Sequence, residues 1–170
     1  MNEVISPNNT ELLTYVLGEL HNKLYVDVVR NLKQQTEEKL QSGDLEHADF
    51  PVTHHFAPNV YMRQMDAKAG TFCVSKMHRT EHMNILLKGA LTIITENGLQ
   101  YLEAPQIIKS SAGTMRIGYF HQDTTWVTVH PTQETDLKII ERDVIVPDEE
   151  IEQFLESIGH MPKELKPCHG

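Results

Sequence analysis

The sequence predicts a mostly β chain bracketed by helices. Three observations carry that reading. From Pro51 to about Val146 the apolar residues recur with a period of two, in short runs rich in β-branched and aromatic side chains. The breaks between these runs carry turn chemistry, at Ala69-Gly70, Asn97-Gly98 and Ala112-Gly113. Before Pro51 and after Val146 the period lengthens to that of a helix. Many short, evenly spaced strands with almost no helix between them predict a sandwich, a jelly roll or a small barrel.

Composition narrows the class further. A chain of 170 residues makes one domain, or at most two small ones, and can bury a sizeable core without staples. Cys73 and Cys168 lie far apart, so no disulfide framework is expected and a reducing, cytoplasmic setting fits. A net charge of −9 argues against a general nucleic-acid binder. The start of the chain lacks the basic opening and long apolar run of a signal peptide. No window approaches the apolar run of about 18 residues that would predict a membrane span. The ten histidines are the one oddity.

Taken in order, the first element is a helix over Thr10–Gln41. Leu12, Leu13, Val16, Leu17, Leu20, Leu24, Val28, Leu32 and Leu40 fall mostly four apart, which predicts one amphipathic helix or two broken near Tyr25. Asn9 or Thr10 suits its start and Ser42-Gly43 its end. An apolar stripe of that length predicts contact with the main domain or with a partner chain. The expected strands are Val60–Met65, Thr71–Ser75, Ala90–Ile94, Leu99–Leu102, Gln106–Ile108, Met115–Ile117 and Trp126–Val129. Asn97-Gly98, between alternating runs, predicts a tight hairpin. After Pro147, Ile151, Phe154, Leu155 and Ile158 follow helical spacing. Asp148, Glu149 and Glu150 sit at the favourable end of that helix, and Gly159 at its stop. Residues 160–170 read as a loose tail.

Seven of the ten histidines lie between His47 and His130. His78 and His82 flank an apparent turn, Arg79-Thr80-Glu81, with Gly89 seven residues beyond. Gly118-Tyr119-Phe120-His121 begins a later strand, with Thr125 four residues after the histidine. This spacing resembles the two motifs of the cupin family. The first has two histidines one residue apart, then a glutamate and a glycine; the second has a glycine followed by a histidine. The likeness covers roughly residues 55–145. It implies a double-stranded β-helix, a jelly-roll barrel, over 51–146, with a helical segment over 1–50 and a short C-terminal helix and tail over 147–170. Matched position by position, His78 and His121 stand where the family has metal ligands. His82 stands in place of the family's glutamate, and Lys76 in place of its first histidine.

The resemblance therefore implies a divalent transition metal (Fe, Zn, Ni or Mn) on three neutral imidazoles, His78, His82 and His121. It implies a small-molecule ligand in the barrel, with oxidation by dioxygen or metal-assisted proton-transfer or lyase chemistry as the reaction classes. Lys76 shares strand parity with His78, and Tyr119 shares it with His121, so both are candidate catalytic groups. Family members often pair, which implies a homodimer. The wording from Thr53-His54-His55 to His130 also resembles uncharacterised cupin-like proteins of bacteriophages. That likeness brings a second reading: a non-catalytic accessory or assembly protein, in the host cytoplasm or on the virion.

The remaining candidates read as structural. At most one of His54 and His55 can face the cavity. His130, before Pro131 at a strand end, reads as a capping or surface residue rather than a ligand. Trp126 and Cys73 read as core, and Glu81 as a solvated charge.

Overall fold

The structure, a computed structural model, describes the backbone of residues 7–95 and 98–159, with side chains from residue 23 onward. It is mostly β, with helices at either end. Helix α1 (Pro7–Ser42) leads into β1 (Val52–Ala57), β2 (Val60–Ala67), β3 (Phe72–Val74), β4 (Met77–His78), β5 (His82–Lys88) and β6 (Ala90–Thr95). Then follow β7 (Gly98–Glu103), β8 (Gln106–Ser110), β9 (Ile117–Phe120) and β10 (Thr124–Pro131). The chain closes with α2 (Leu137–Val144), β11 (Ile145–Val146), a 3-10 turn (Asp148–Glu150) and α3 (Ile151–Ser157).

Two larger sheets face each other, and β4 pairs with β11 in a third, two-stranded one, with His78 opposite Ile145. One runs β1-β2-β10-β5-β8 and the other β3-β9-β6-β7, every pairing antiparallel. From β2 onward the chain crosses between the sheets, and β9 and β10 return to lie beside β3 and β2. That strand order is the double Greek key of a jelly roll, with β1 added at one edge. The expected double-stranded β-helix with a long N-terminal and a short C-terminal helix is therefore the observed architecture.

The core has two parts. Leu86, Leu91, Ile93, Leu102 and Phe120 fill the space between the sheets. Val26 and Val29 of α1, Met77, Met115, Val146, and Ile151 and Leu155 of α3 form a second cluster beside them. The corner from β5 to β6 turns on Gly89, whose φ is +87°. A Cβ there would meet the Asp123 carbonyl oxygen at 2.5 Å, so only glycine fits.

Several expectations change in detail. Helix α1 is unbroken at Tyr25, but Leu24 and Val28 of the predicted stripe face solvent, while Val26 and Val29 are buried. The physical reason is the drift of four-residue steps, which advance about 400° and slide some 40° around the helix each time. The face that docks is fixed by Tyr25, whose hydroxyl donates to the Ile94 carbonyl at 2.7 Å. Helix α1 already runs from Pro7, so Asn9 and Thr10, expected as its cap, lie within it; the Asn97 position of the hairpin and the tail lie outside the described residues. β6 and β7 do pair up to Thr95 and Gly98, as a tight hairpin requires. The strand expected at Met115–Ile117 begins only at Ile117, where pairing with Val74 and Ile94 starts. Strands β1, β4, β5 and β11 and helix α2 are not among the expected elements. Helix α2 has a legible cap, since the Asp136 carboxylate accepts from the backbone N–H groups of Lys138 and Ile139. No described helix is long and apolar enough to cross a membrane.

Candidate metal centre

Three strand ends converge at one mouth of the barrel. His78 closes β4, His82 opens β5, and His130 is the penultimate residue of β10. β5 and β10 run antiparallel with Val129 opposite Met83, which sets His130 beside His82. Along β10, Trp126 and Thr128 reach the inward-facing Asn84, and the period of two then brings His130 to the same face.

The three imidazoles are in contact. Ring centres are 4.2 Å apart for His78 and His82, 5.0 Å for His82 and His130, and 5.3 Å for His78 and His130. One nitrogen from each lies within 4.8 Å of the others. His82 Nδ1 donates to the Thr80 carbonyl oxygen at 2.9 Å. The Nδ1 atoms of His78 and His130 are buried and meet no hydrogen-bond partner among the described residues. A buried imidazole nitrogen of that kind ordinarily has a partner, and a shared cation would supply one.

The electrostatics favour neutral rings. Burial, then the fields of His82, His130, Arg116 and Arg63, lower His78 from 6.5 to about 3. Burial, then His82, lowers His130 from 6.5 to about 4. Burial lowers His82 as well, against the pull of its bond to Thr80. Neutral imidazoles are the form that ligates a metal. The donor set therefore fits a borderline transition ion and offers nothing to a hard, oxygen-seeking one.

Behind the histidines lies a cavity of about 630 Å³. Its depth is apolar, with Leu91, Ile93, Phe120 and Trp126, and residues of α2 line its rim. A buried polar strut stands beside the histidines. Asn84 donates to Ser110 Oγ at 2.6 Å and accepts from Trp126 Nε1 at 3.0 Å. Tyr61 is buried, stacks on His130 and hydrogen-bonds His54 Nδ1 at 2.8 Å.

Of the residues singled out in the sequence, His78 and His82 meet in this group and His121 does not. β9 alternates, with Gly118 and Phe120 buried and Tyr119 exposed, so His121 shares the outer face with Tyr119. There its Nε2 pairs with Thr92 Oγ1 at 2.7 Å and its ring meets the edge of Tyr119 at 5.0 Å. Tyr119 consequently points away from the cavity. Lys76 reaches only the mouth, where it is exposed and ion-paired with Glu141 of α2. His130 takes the third place. Its sequence signal was available: Trp126, an expected core residue, lies four positions earlier on the same strand and fixes the inward parity.

No protein-family model matches the chain, and no curated protein matches it. Solved structures with a similar outline include a cupin domain from Bordetella pertussis Tohama I, 10% identical over 52% of this chain and 98% of that one, with a TM-score of 0.42. KdgF from Halomonas sp. is 14% identical over 54% and 94%, with a TM-score of 0.43. An acetylacetone dioxygenase from Acinetobacter johnsonii is 15% identical over 50% and 61%, with a TM-score of 0.43. At these identities and scores they share an outline with this chain and no more.

Proposed function

We propose that this jelly-roll protein holds one divalent transition ion on His78, His82 and His130 and acts on a small molecule in the adjoining cavity. The observation that carries the reading is the group itself: three imidazole nitrogens within 4.8 Å, with two buried Nδ1 atoms lacking partners, at the mouth of a cavity. Fe(II), Zn(II), Ni(II) and Mn(II) are the ions in view. A +2 ion on three neutral ligands keeps its full charge and supplies Lewis-acid or oxygen-dependent chemistry to whatever binds it. The chain's own groups set the stage. Thr80 fixes the His82 ring, the apolar walls and α2 limit water, and Tyr61, its hydroxyl tied to His54, stacks its ring on His130.

A Co(II) titration followed by visible absorption tests this reading. Intense d–d bands saturating at one equivalent, and bleached by Zn(II), are expected. No bands in the wild type would overturn it.

A second reading, a non-catalytic assembly protein, draws on α1. Leu24 and Val28 are 63% and 62% exposed. In sequence Leu13, Leu17, Leu20 and Leu24 keep the alternating four-three-four spacing of a two-helix seam. The occupant this favours is a second copy of the chain, giving a homodimer. Sedimentation of the wild type and Leu24→Glu should then read dimer and monomer; a monomeric wild type removes it.

A further inference from the structure

The cavity is more positive than the chain that encloses it. Net charge is −9 overall, yet the charged residues among the described lining are Arg63, Lys76, Arg116 and Glu141. Glu141 is already held by Lys76 at the rim. Arg116 adds to the positive field at His78 and His82.

Arg63 is the informative residue. It is half-buried on β2, between His54 of β1 and Thr128 of β10, and Thr128 faces the buried Asn84. Two residues back on β2, Tyr61 lies opposite His130. Arg63 is therefore one strand across and about 6.8 Å further along from the histidine group. No acidic side chain forms an ion pair with it among the described residues. Its charge is felt at Tyr61, Cys73 and His78, in each case behind the larger effect of burial, and at Glu141 behind Lys76. Arg63 lines the cavity together with all four of those residues. A half-buried guanidinium without a counter-ion is costly, and its planar fork matches a carboxylate in two parallel bonds.

We infer that Arg63 is a carboxylate-binding residue, and that the cavity takes a small carboxylic acid whose apolar body rests on Leu91, Ile93 and Phe120 while its other end reaches the histidine group. The planar fork of Arg63 and the apolar walls beside it match a carboxylate carried on an apolar body. The inference rests on the proposed function only for what happens at the histidine end. The carboxylate site itself needs no metal.

Calorimetry with hexanoate and its neutral isostere hexanamide tests it, on the full-length protein with and without Zn(II), the metal content being measured in the same samples. The wild type should bind hexanoate about tenfold or more tighter than hexanamide. Arg63→Gln should erase that preference with its circular dichroism unchanged, and Arg63→Lys should retain part of it. The preference should persist without Zn(II). Equal binding of the two ligands, no binding of hexanoate, or an unchanged preference in a folded Arg63→Gln would overturn the inference. The wild-type comparison decides even where the variant does not fold. Hexanoate binding that appears only with Zn(II) and ignores Arg63 would overturn this inference and leave the metal centre standing. Arg63-dependent binding in a protein that takes up no metal would do the reverse.

Discussion

His82 Nδ1 lies 2.9 Å from the carbonyl oxygen of Thr80, two residues earlier in the chain. A carbonyl can only accept, so this bond places the proton on Nδ1 and leaves the Nε2 lone pair free. The turn between β4 and β5 thereby sets the tautomer of one of the three clustered imidazoles without any ion. Long-range proton–nitrogen NMR correlations of the metal-free protein should report the Nδ1–H form for His82 at neutral pH. The Nε2–H form would contradict the arrangement.

Acid should destabilise the metal-free fold well before its carboxylates dominate. His78 and His130 sit at about 3 and about 4 when folded and at 6.5 when unfolded. Below pH 6.5 the unfolded chain takes up protons that the folded chain refuses. Stability from this source is complete above pH 6.5, falls as pH drops towards 4, and is spent by about pH 3. The loss is on the order of a few kcal/mol, with the three rings acting as one coupled set. Urea midpoints of the wild type should decline across that window, and those of a His78→Phe/His130→Phe variant should decline less. Parallel curves would refute this.

Gly89 and Gly43 share a positive φ but not an environment. A Cβ at Gly89 meets backbone and Thr124 at 2.5–2.8 Å, whereas at Gly43 it meets nothing within 4 Å. Gly89→Ala should cost about 3 kcal/mol or more, and Gly43→Ala about 1 kcal/mol. Equal costs in chemical denaturation would show that the corner is not as tight as described.

Lys76 and Glu141 bridge the mouth as an exposed ion pair. Exposed pairs of this kind contribute about 1 kcal/mol at most. Lys76→Ala should shift stability by no more than that and leave Zn(II) stoichiometry unchanged. A collapse of metal binding would return Lys76 to the centre.

Sequence pattern was enough for the architecture because a half-buried strand writes its own period. Leu91 through Ile94 and Thr128 through Pro131 alternate between buried and more exposed positions, and β6 pairs with β7 up to Thr95 and Gly98. α2 escaped because it is eight residues long and lies next to a β region, although Asp136 marked its start. In the site, His78 and His82 were legible because one short turn fixes both. His121 was misplaced because a motif spacing was followed across a strand whose parity runs the other way, with Phe120 inward and His121 outward. His130 was passed over because a strand-end position before proline looks like surface, and only the register of β10 against β5 brings it to His82. Arg63 carried no motif at all. It draws notice only in the fold, where it lines the cavity and makes no ion pair among the described residues, which no spacing rule records.

The most direct test of the centre is elemental analysis of untagged protein purified without chelator, with His130→Ala and His121→Ala alongside. A centre on His78, His82 and His130 gives about one transition metal per chain in the wild type and in His121→Ala. Removing one of its imidazoles in His130→Ala should cost about 100-fold or more in Zn(II) affinity. Metal lost in His121→Ala but kept in His130→Ala, or absent from all three after incubation with Fe(II), Zn(II), Ni(II) and Mn(II), would contradict it.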